Sequence, residues 1–382
     1  MSEFTTRKIT DRAGTGAPNF TYGVNIGGSD SGLIGKAYTA SGTEPSSPAN
    51  GDTWYDTAND KFYIYADGAF KQITHSNAPT LFDGGERALY MGAYRRNAAA
   101  ISNSIVYWTI ATLGNAADFG DLTETKRYNS STSDGTRAFV IGGQSGSTAK
   151  SLKIDVITVG TLGNAADHGD LSGTYGQQDA AANCNGTIAV NAGGNGDSDK
   201  TNQIQRFTTA TASNAADHGD LTVGRSEIGG NITDGTVGLF HGGFSTSMGD
   251  SVIDQVTIAT AANATDFGDL SNASWTNCGT SQNVRGVIHE AYNSTTVQNV
   301  ITYVTIGTAS NSTDFGDLLQ ACTHTKACTN LSGRACFSSG KVAASPYALN
   351  TIQYIDINTL GNASDFGDLD DLHQNGNSAS GN

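Results

Sequence analysis

Apolar positions along this chain fall in short β-rich runs, and each kind of run comes back about every fifty residues. One kind, Ile105-Val106-Tyr107-Trp108-Thr109-Ile110, is followed by Leu113-Gly114-Asn115. Gly-Asn between two strand-like segments signals a hairpin, because glycine reaches positive φ without a Cβ clash. A second kind of run is closed by paired glycines. Ala138 to Ile141 precedes Gly142-Gly143, Ile188 to Val190 precedes Gly193-Gly194, and Val237 to Phe240 precedes Gly242-Gly243. Each repeat therefore predicts one small antiparallel sheet of about four strands.

The repeats are marked by one phrase, Asp-Phe-Gly-Asp-Leu. It begins at Asp118, Asp266, Asp314 and Asp365, and with His for Phe at Asp167 and Asp217. In chain order the intervals are 49, 50, 49, 48 and 51 residues. Such regularity is the signature of a repeat architecture. Six sheets arranged radially predict an all-β protein, a six-bladed β-propeller that buries sheet against sheet. Strand alternation within the phrase predicts Phe119 and Asp121 on one side, with Asp118, Gly120 and Leu122 on the other. Phe119 is expected against the neighbouring blade, with His168 and His218 as aromatic substitutes.

Ahead of the repeats the pattern changes. Residues 1–41 carry Gly, Thr and Ser without periodicity and predict an extended arm, since such a segment cannot bury a core alone. Residues 42–75 begin with a turn-rich linker and predict a small β-meander, with strands at Thr53 to Tyr55, Lys61 to Tyr65 and Phe70 to Ile73. The propeller is expected over residues 76–382. Its first blade lacks an innermost strand, and the tail Gln374 to Ser380 is expected to supply it beside Arg87 to Gly92. Pro79-Thr80-Leu81-Phe82 competes for that place. Closing the ring in this way would remove two unpaired edges.

The repeats diverge most just after the glycine pairs. Those six segments share one position in the repeat and should gather on one face, the usual place for binding on a rigid scaffold. Tyr94, Arg95, Arg96, Phe244, Tyr292 and Tyr347 are the candidates there, because Tyr and Arg are enriched at binding hot spots.

The formal net charge of −15 argues against a nucleic-acid partner, whose phosphates require Lys and Arg. Twelve of the 36 acidic residues are the paired aspartates of the repeats, so much of that charge is architectural. No apolar run approaches a membrane span, and no apolar segment follows Met1 to Lys8, so membrane insertion and a signal peptide are not expected. The five cysteines predict no disulfide framework; Cys184, Cys278 and Cys328 fall at nearly equivalent places and read as small core residues. The spacing of Cys322, His324 and Cys328 matches no zinc pattern. Asp beside Gly is ordinary turn chemistry, so neither metal nor cofactor is assigned.

The apolar strand closed by Gly-Gly, with an aromatic-bearing outer strand, resembles the kelch-type propeller, Phe119 standing where kelch repeats usually place Trp. The phrase Gly-Asn-Ala-Ala-Asp-Phe-Gly-Asp-Leu-Thr is similar to a repeat of virion structural and tail-fibre-like proteins of tailed phages, particularly marine ones. The stretch Pro48 to Asp56 is similar to a module near the N-termini of phage tail fibres. His289-Glu290 and Ser339-Gly340 depart from the Gly-Gly pattern.

The resemblance implies a virion protein made in the host cytoplasm. Its arm would be anchored to other virion proteins through Phe4, Arg7, Lys8 and Phe20. Its propeller would face a host cell-surface receptor, glycan or protein, as a tail fibre or receptor-binding component. A homo-oligomer is compatible with that role. A capsid-decorating or tail-accessory protein is the alternative, as is a glycan-binding or glycan-cleaving propeller. Catalysis is not expected, because the paired aspartates recur in every repeat whereas a glycosidase needs one asymmetric carboxylate pair.

Overall fold

A computed structural model describes residues 38–58, 61–66, 68–72, 86–146, 149–173, 176–196, 199–245, 249–293, 295–342 and 347–381. The chain divides into two compact units, Met1–Ala78 and Pro79–Asn382. The architecture is all-β, with no helix among the described residues. The candidate anchors Phe4, Arg7, Lys8 and Phe20 and the competitor segment at 79–82 lie outside the described residues.

The smaller unit holds four strands where the sequence suggested three: Tyr38–Ser41, Thr53–Asp56, Lys61–Ala66 and Ala69–Gln72. The additional one falls inside the expected arm and pairs in parallel with Thr53–Asp56. What fixes this sheet is Trp54. Its ring stacks on Tyr63 at 4.9 Å and meets the edge of Phe70 at 5.3 Å, while Nε1 donates to the Ser41 carbonyl at 3.1 Å.

The larger unit is built mainly from four four-stranded antiparallel sheets and one eight-stranded sheet, which together comprise six sets of four strands, the first and sixth sets being joined in the eight-stranded one. The second sheet is typical: Ser130–Ser133, Arg137–Ile141, Lys153–Thr158 and Ala166–Asp170. The third, fourth and fifth repeat it from Ala181–Cys184, Gly229–Thr233 and Cys278–Gln282 onward, and the sixth from Lys326–Thr329. The first sheet takes its first strand from the C-terminal tail. Asn377–Gly381 pairs with Arg87–Arg95, Asn377 opposite Met91 and Gly381 opposite Arg87. A shorter pairing, His373 with Arg95 and Gln374 with Tyr94, joins the sixth sheet to the first.

Six apolar clusters form the core, and each is shared by two consecutive sheets. Phe119 and Leu122 of the first sheet pack with Val140 and Ile157 of the second. Phe139 and Leu171 meet Phe207 of the third, and so on around the repeats. The last cluster places Phe366 and Cys336 of the sixth sheet against Tyr90 and Trp108 of the first. Burial on both faces explains why the second strands read as continuous apolar runs, such as Ala138 to Ile141. Each buried Leu, Ile or Phe contributes about 1.5–3 kcal/mol. All five cysteines are buried thiols outside any disulfide.

The repeated phrase serves as a clasp between sheets. A bulge between Ile105 and Val106 breaks the expected alternation, so Phe119 and Leu122 are both buried and Asp121 stays exposed. The Gly-Asn ahead of the phrase is likewise not a two-residue hairpin turn. It belongs to a longer connection that docks on the preceding sheet. The Asp121 N–H donates to Asn164 Oδ1 at 3.0 Å, and the Ala165 N–H donates to the Asp121 carbonyl at 2.8 Å. Gly120, at φ 152°, lets this turn come close: a Cβ there would lie 2.4 Å from the Gly163 carbonyl oxygen. The same Asp-to-Asn bond recurs at Asp170, Asp220, Asp269 and Asp317. The sixth instance runs from Asp368 to Asn115 in the first sheet.

Candidate functional site

The residue shortly before each first strand has a left-handed backbone. Tyr128, Asp179, Glu227, Thr276, His324 and Asn375 have φ values of 56°, 57°, 54°, 58°, 58° and 63°. The left-handed conformation costs a non-glycine residue about 1–2 kcal/mol. A geometry that the fold demands six times is thus met by six different side chains and never by glycine. Strain held in that way points to a use for the side chain.

Backbone bonds link these residues into an array. Tyr128 N–H donates to the Asn375 carbonyl at 2.7 Å, Asp179 N–H to Tyr128 at 2.9 Å, and Thr276 N–H to Glu227 at 3.0 Å. Just ahead of the left-handed positions, Arg127, Gln178, Ser226, Trp275 and Thr323 bridge to Gln144, Asn195, Phe244, Tyr292 and Lys341. These partners follow the glycine-ended strands, so the divergent loops start beside the left-handed residues. Gly143, at φ 97°, permits this approach, since a Cβ there would lie 2.8 Å from the Arg127 carbonyl.

Five of the six left-handed residues line a cavity of about 460 Å³, with Trp275, Tyr292, Val297, Thr323, Lys341 and Val342 completing it. A neighbouring cavity of about 320 Å³ shares Tyr128 and Lys341 and adds Arg96, Arg127, Tyr347, Gln374 and Asn375. Burial, reinforced by the charge of Glu227, pushes the Asp179 carboxyl up to about 8. Burial also raises Glu227, against the opposing pull of Lys326 and Lys341. His324 is pushed down to about 3 by burial and by those same lysines, which leaves it neutral. The larger cavity therefore offers carboxyl groups able both to donate and to accept, beside aromatic rings.

The structure separates the six candidates named from sequence. Arg96 and Tyr347 line the smaller cavity together, the guanidinium 5.4 Å from the ring centroid. Tyr292 lines the larger one, in a row where Trp275 lies 4.5 Å from Tyr292 and 5.5 Å from Phe244. Tyr94 lies under Arg127 at 5.7 Å. Arg95 points elsewhere, into ion pairs with Asp370 and Asp371. Sequence reasoning missed Arg127, Asp179, Glu227 and Trp275. A signal existed, because five of the six left-handed residues stand six positions after the Leu of the repeated phrase, Leu122 to Tyr128 for example. Two extra residues between Leu171 and Asp179 break that register.

Comparison of the chain with protein-family models finds no match, and neither does comparison with curated proteins.

Proposed function

We propose that residues 76–382 form a six-bladed, kelch-like propeller and that the chain is a non-enzymatic virion protein of a tailed phage. It is a tail fibre or receptor-binding component whose exposed face carries the two cavities. The propeller reading is supported by six cores shared between consecutive sheets, with the sixth returning to the first. The binding role is carried by one observation: the same left-handed backbone position holds six different side chains, five of which line the larger cavity. The place in a virion rests on the likeness of the repeated phrase and of the Trp54 module to phage proteins.

Mass spectrometry of purified particles tests the reading. The protein is expected among the virion components, and its absence would refute the proposal. Replacing Trp275 and Tyr292 with Ala should then reduce adsorption to host cells without changing particle yield.

Glycan cleavage is the second reading, favoured by the raised Asp179 carboxyl beside Glu227. It requires release of reducing ends from host surface glycans, lost on Asp179→Asn.

A further inference from the structure

We propose that the smaller cavity, walled by Arg96, Arg127, Lys341, Tyr128 and Tyr347, binds the anionic group of an acidic saccharide whose hydroxyl-bearing ring extends into the larger cavity. The inference rests on the reading of this face as the receptor-binding face, and it names the class of ligand.

Charge placement is the first ground. In a chain with 21 basic against 36 acidic residues, the two fully buried cations among the described residues, Lys126 and Arg225, each find a carboxylate. Lys126 pairs with Asp155, Arg225 with Asp254, and Arg95 with Asp370 and Asp371. Arg96, Arg127 and Lys341 have no carboxylate partner among the described residues, yet all three converge on one concavity. Among the described residues, the wall of this cavity contains no acid. Three cations without a direct ion pair around a hollow make a site for an anion.

Orientation is the second. The Arg127 guanidinium lies 4.9 Å from the Tyr128 ring centroid, and its Nε donates to Gln144 Oε1 at 2.8 Å. Arg96 is stacked on Tyr347 in the same manner. Stacking fixes the plane and leaves the terminal N–H groups to donate side by side, the geometry that suits carboxylate or phosphate oxygens. A volume of about 320 Å³ exceeds what a bare anion needs.

The adjoining cavity decides what carries the anion. Tyr128 and Lys341 are common to both, so a ligand held by the arginines reaches Asp179, Glu227, Thr276 and Trp275. Carboxyl and hydroxyl groups beside aromatic faces suit a polyol ring, and the acids disfavour an anionic chain running through both cavities. That distinguishes an acidic sugar from a polyanion. The anionic group is a carboxylate or a phosphate ester, and the two sources are separated by experiment.

Calorimetric titration of the full chain with glucuronate, glucose 6-phosphate, glucose and inorganic phosphate tests the proposal. At least one acidic sugar is expected to bind, about tenfold tighter than glucose and than inorganic phosphate. Arg96→Gln, on the exposed rim, and Arg127→Gln should each weaken that binding about tenfold, with Lys61→Gln in the smaller compact unit as the unchanged control. Binding of glucuronate alone assigns a carboxylate, and binding of glucose 6-phosphate alone assigns a phosphate ester. No binding of either acidic sugar at about 10 mM, equal binding of glucose, binding of inorganic phosphate only, or indifference to both Arg substitutions would each overturn it. If purified chain still competes with particles for host cells while the acidic sugars do not bind, the ligand class fails and the receptor reading stands. If the chain does not compete, the receptor reading fails whatever the titrations give.

Discussion

The backbone N–H of Asp368 donates to the side-chain oxygen of Asn115 at 3.0 Å, across 253 positions of sequence. The other five bonds of this kind each join a repeat to the one that follows it, 42 to 45 residues on. The long one therefore does for the last and first repeats what the short ones do for neighbours. Together with Asn377–Gly381 beside Arg87–Arg95, it ties the two ends of the larger unit.

Removing residues 377–382 should expose the edge of Arg87–Arg95 and uncover Leu89 and Met91, which are buried in the intact protein. An open apolar edge favours association between chains. A lower Tm and concentration-dependent oligomers in light scattering are the expected outcome. A truncated chain as stable and monodisperse as the parent would contradict the pairing.

The clasp predicts a graded pair of substitutions. Asn164→Ala deletes one hydrogen bond to Asp121 and should cost about 0.5–1.5 kcal/mol in urea denaturation. Gly120→Ala drives a methyl group into the Gly163 carbonyl in a backbone region that alanine avoids, so its cost should exceed about 2 kcal/mol. The reverse order of the two would refute the close-approach account.

Asp179 predicts a particular pH dependence. Its folded carboxyl is held up to about 8, whereas in the unfolded chain it titrates near 4. The folded state keeps the proton between those values. The stability this group confers is therefore full at acid pH and is lost as pH rises toward 8. The Tm of Asp179→Asn minus that of the native chain should grow between pH 5 and pH 8, by at least about 2 °C. A flat difference across that range would show that the site does not perturb this group.

His289 gives the opposite sign. Burial pushes it down to about 4 in the folded protein, where its Nδ1 shares a hydrogen bond with Thr325 Oγ1 at 2.6 Å. The unfolded chain takes up a proton near pH 6.5, so stability conferred by the neutral ring is present above that value and lost as pH falls toward 4. His289→Gln should be less stable than the parent at pH 7.5, with the gap closing by pH 4.5. Equal acid sensitivity in both proteins would exclude the ring as a source of it.

Much of this was legible in the sequence because the repeat states it six times. Strand runs, the glycine-ended second strands and the place of the tail all follow from periodicity and composition. What the sequence hid were features set between repeats. The bulge beside Phe119 and the docking of Asn164 on Asp121 depend on a neighbour some forty residues away, which no local pattern encodes. The left-handed residues were hidden for another reason. Tyr128, Glu227 and Thr276 are not residue types that announce positive φ, unlike the glycines of the repeated phrase. Arg95 and Arg96 were inseparable by type and sequence position; only the three-dimensional place of Asp370 and Asp371 tells one from the other.

The strand Asn377–Gly381 also sets a clock for biosynthesis. Asn377 follows its partner Met91 by 286 residues (377 − 91). At roughly 5–20 residues per second, the ribosome needs about 14 s to a minute to travel that distance. During that time Arg87–Arg95 has left the exit tunnel without the neighbour that covers its edge. Sheets two to five can assemble as they emerge, each against the one before, whereas the first must wait for the last. Nascent chains crowded on one messenger would then present the same bare strand to one another, and slower translation of the final repeat would lengthen the exposure.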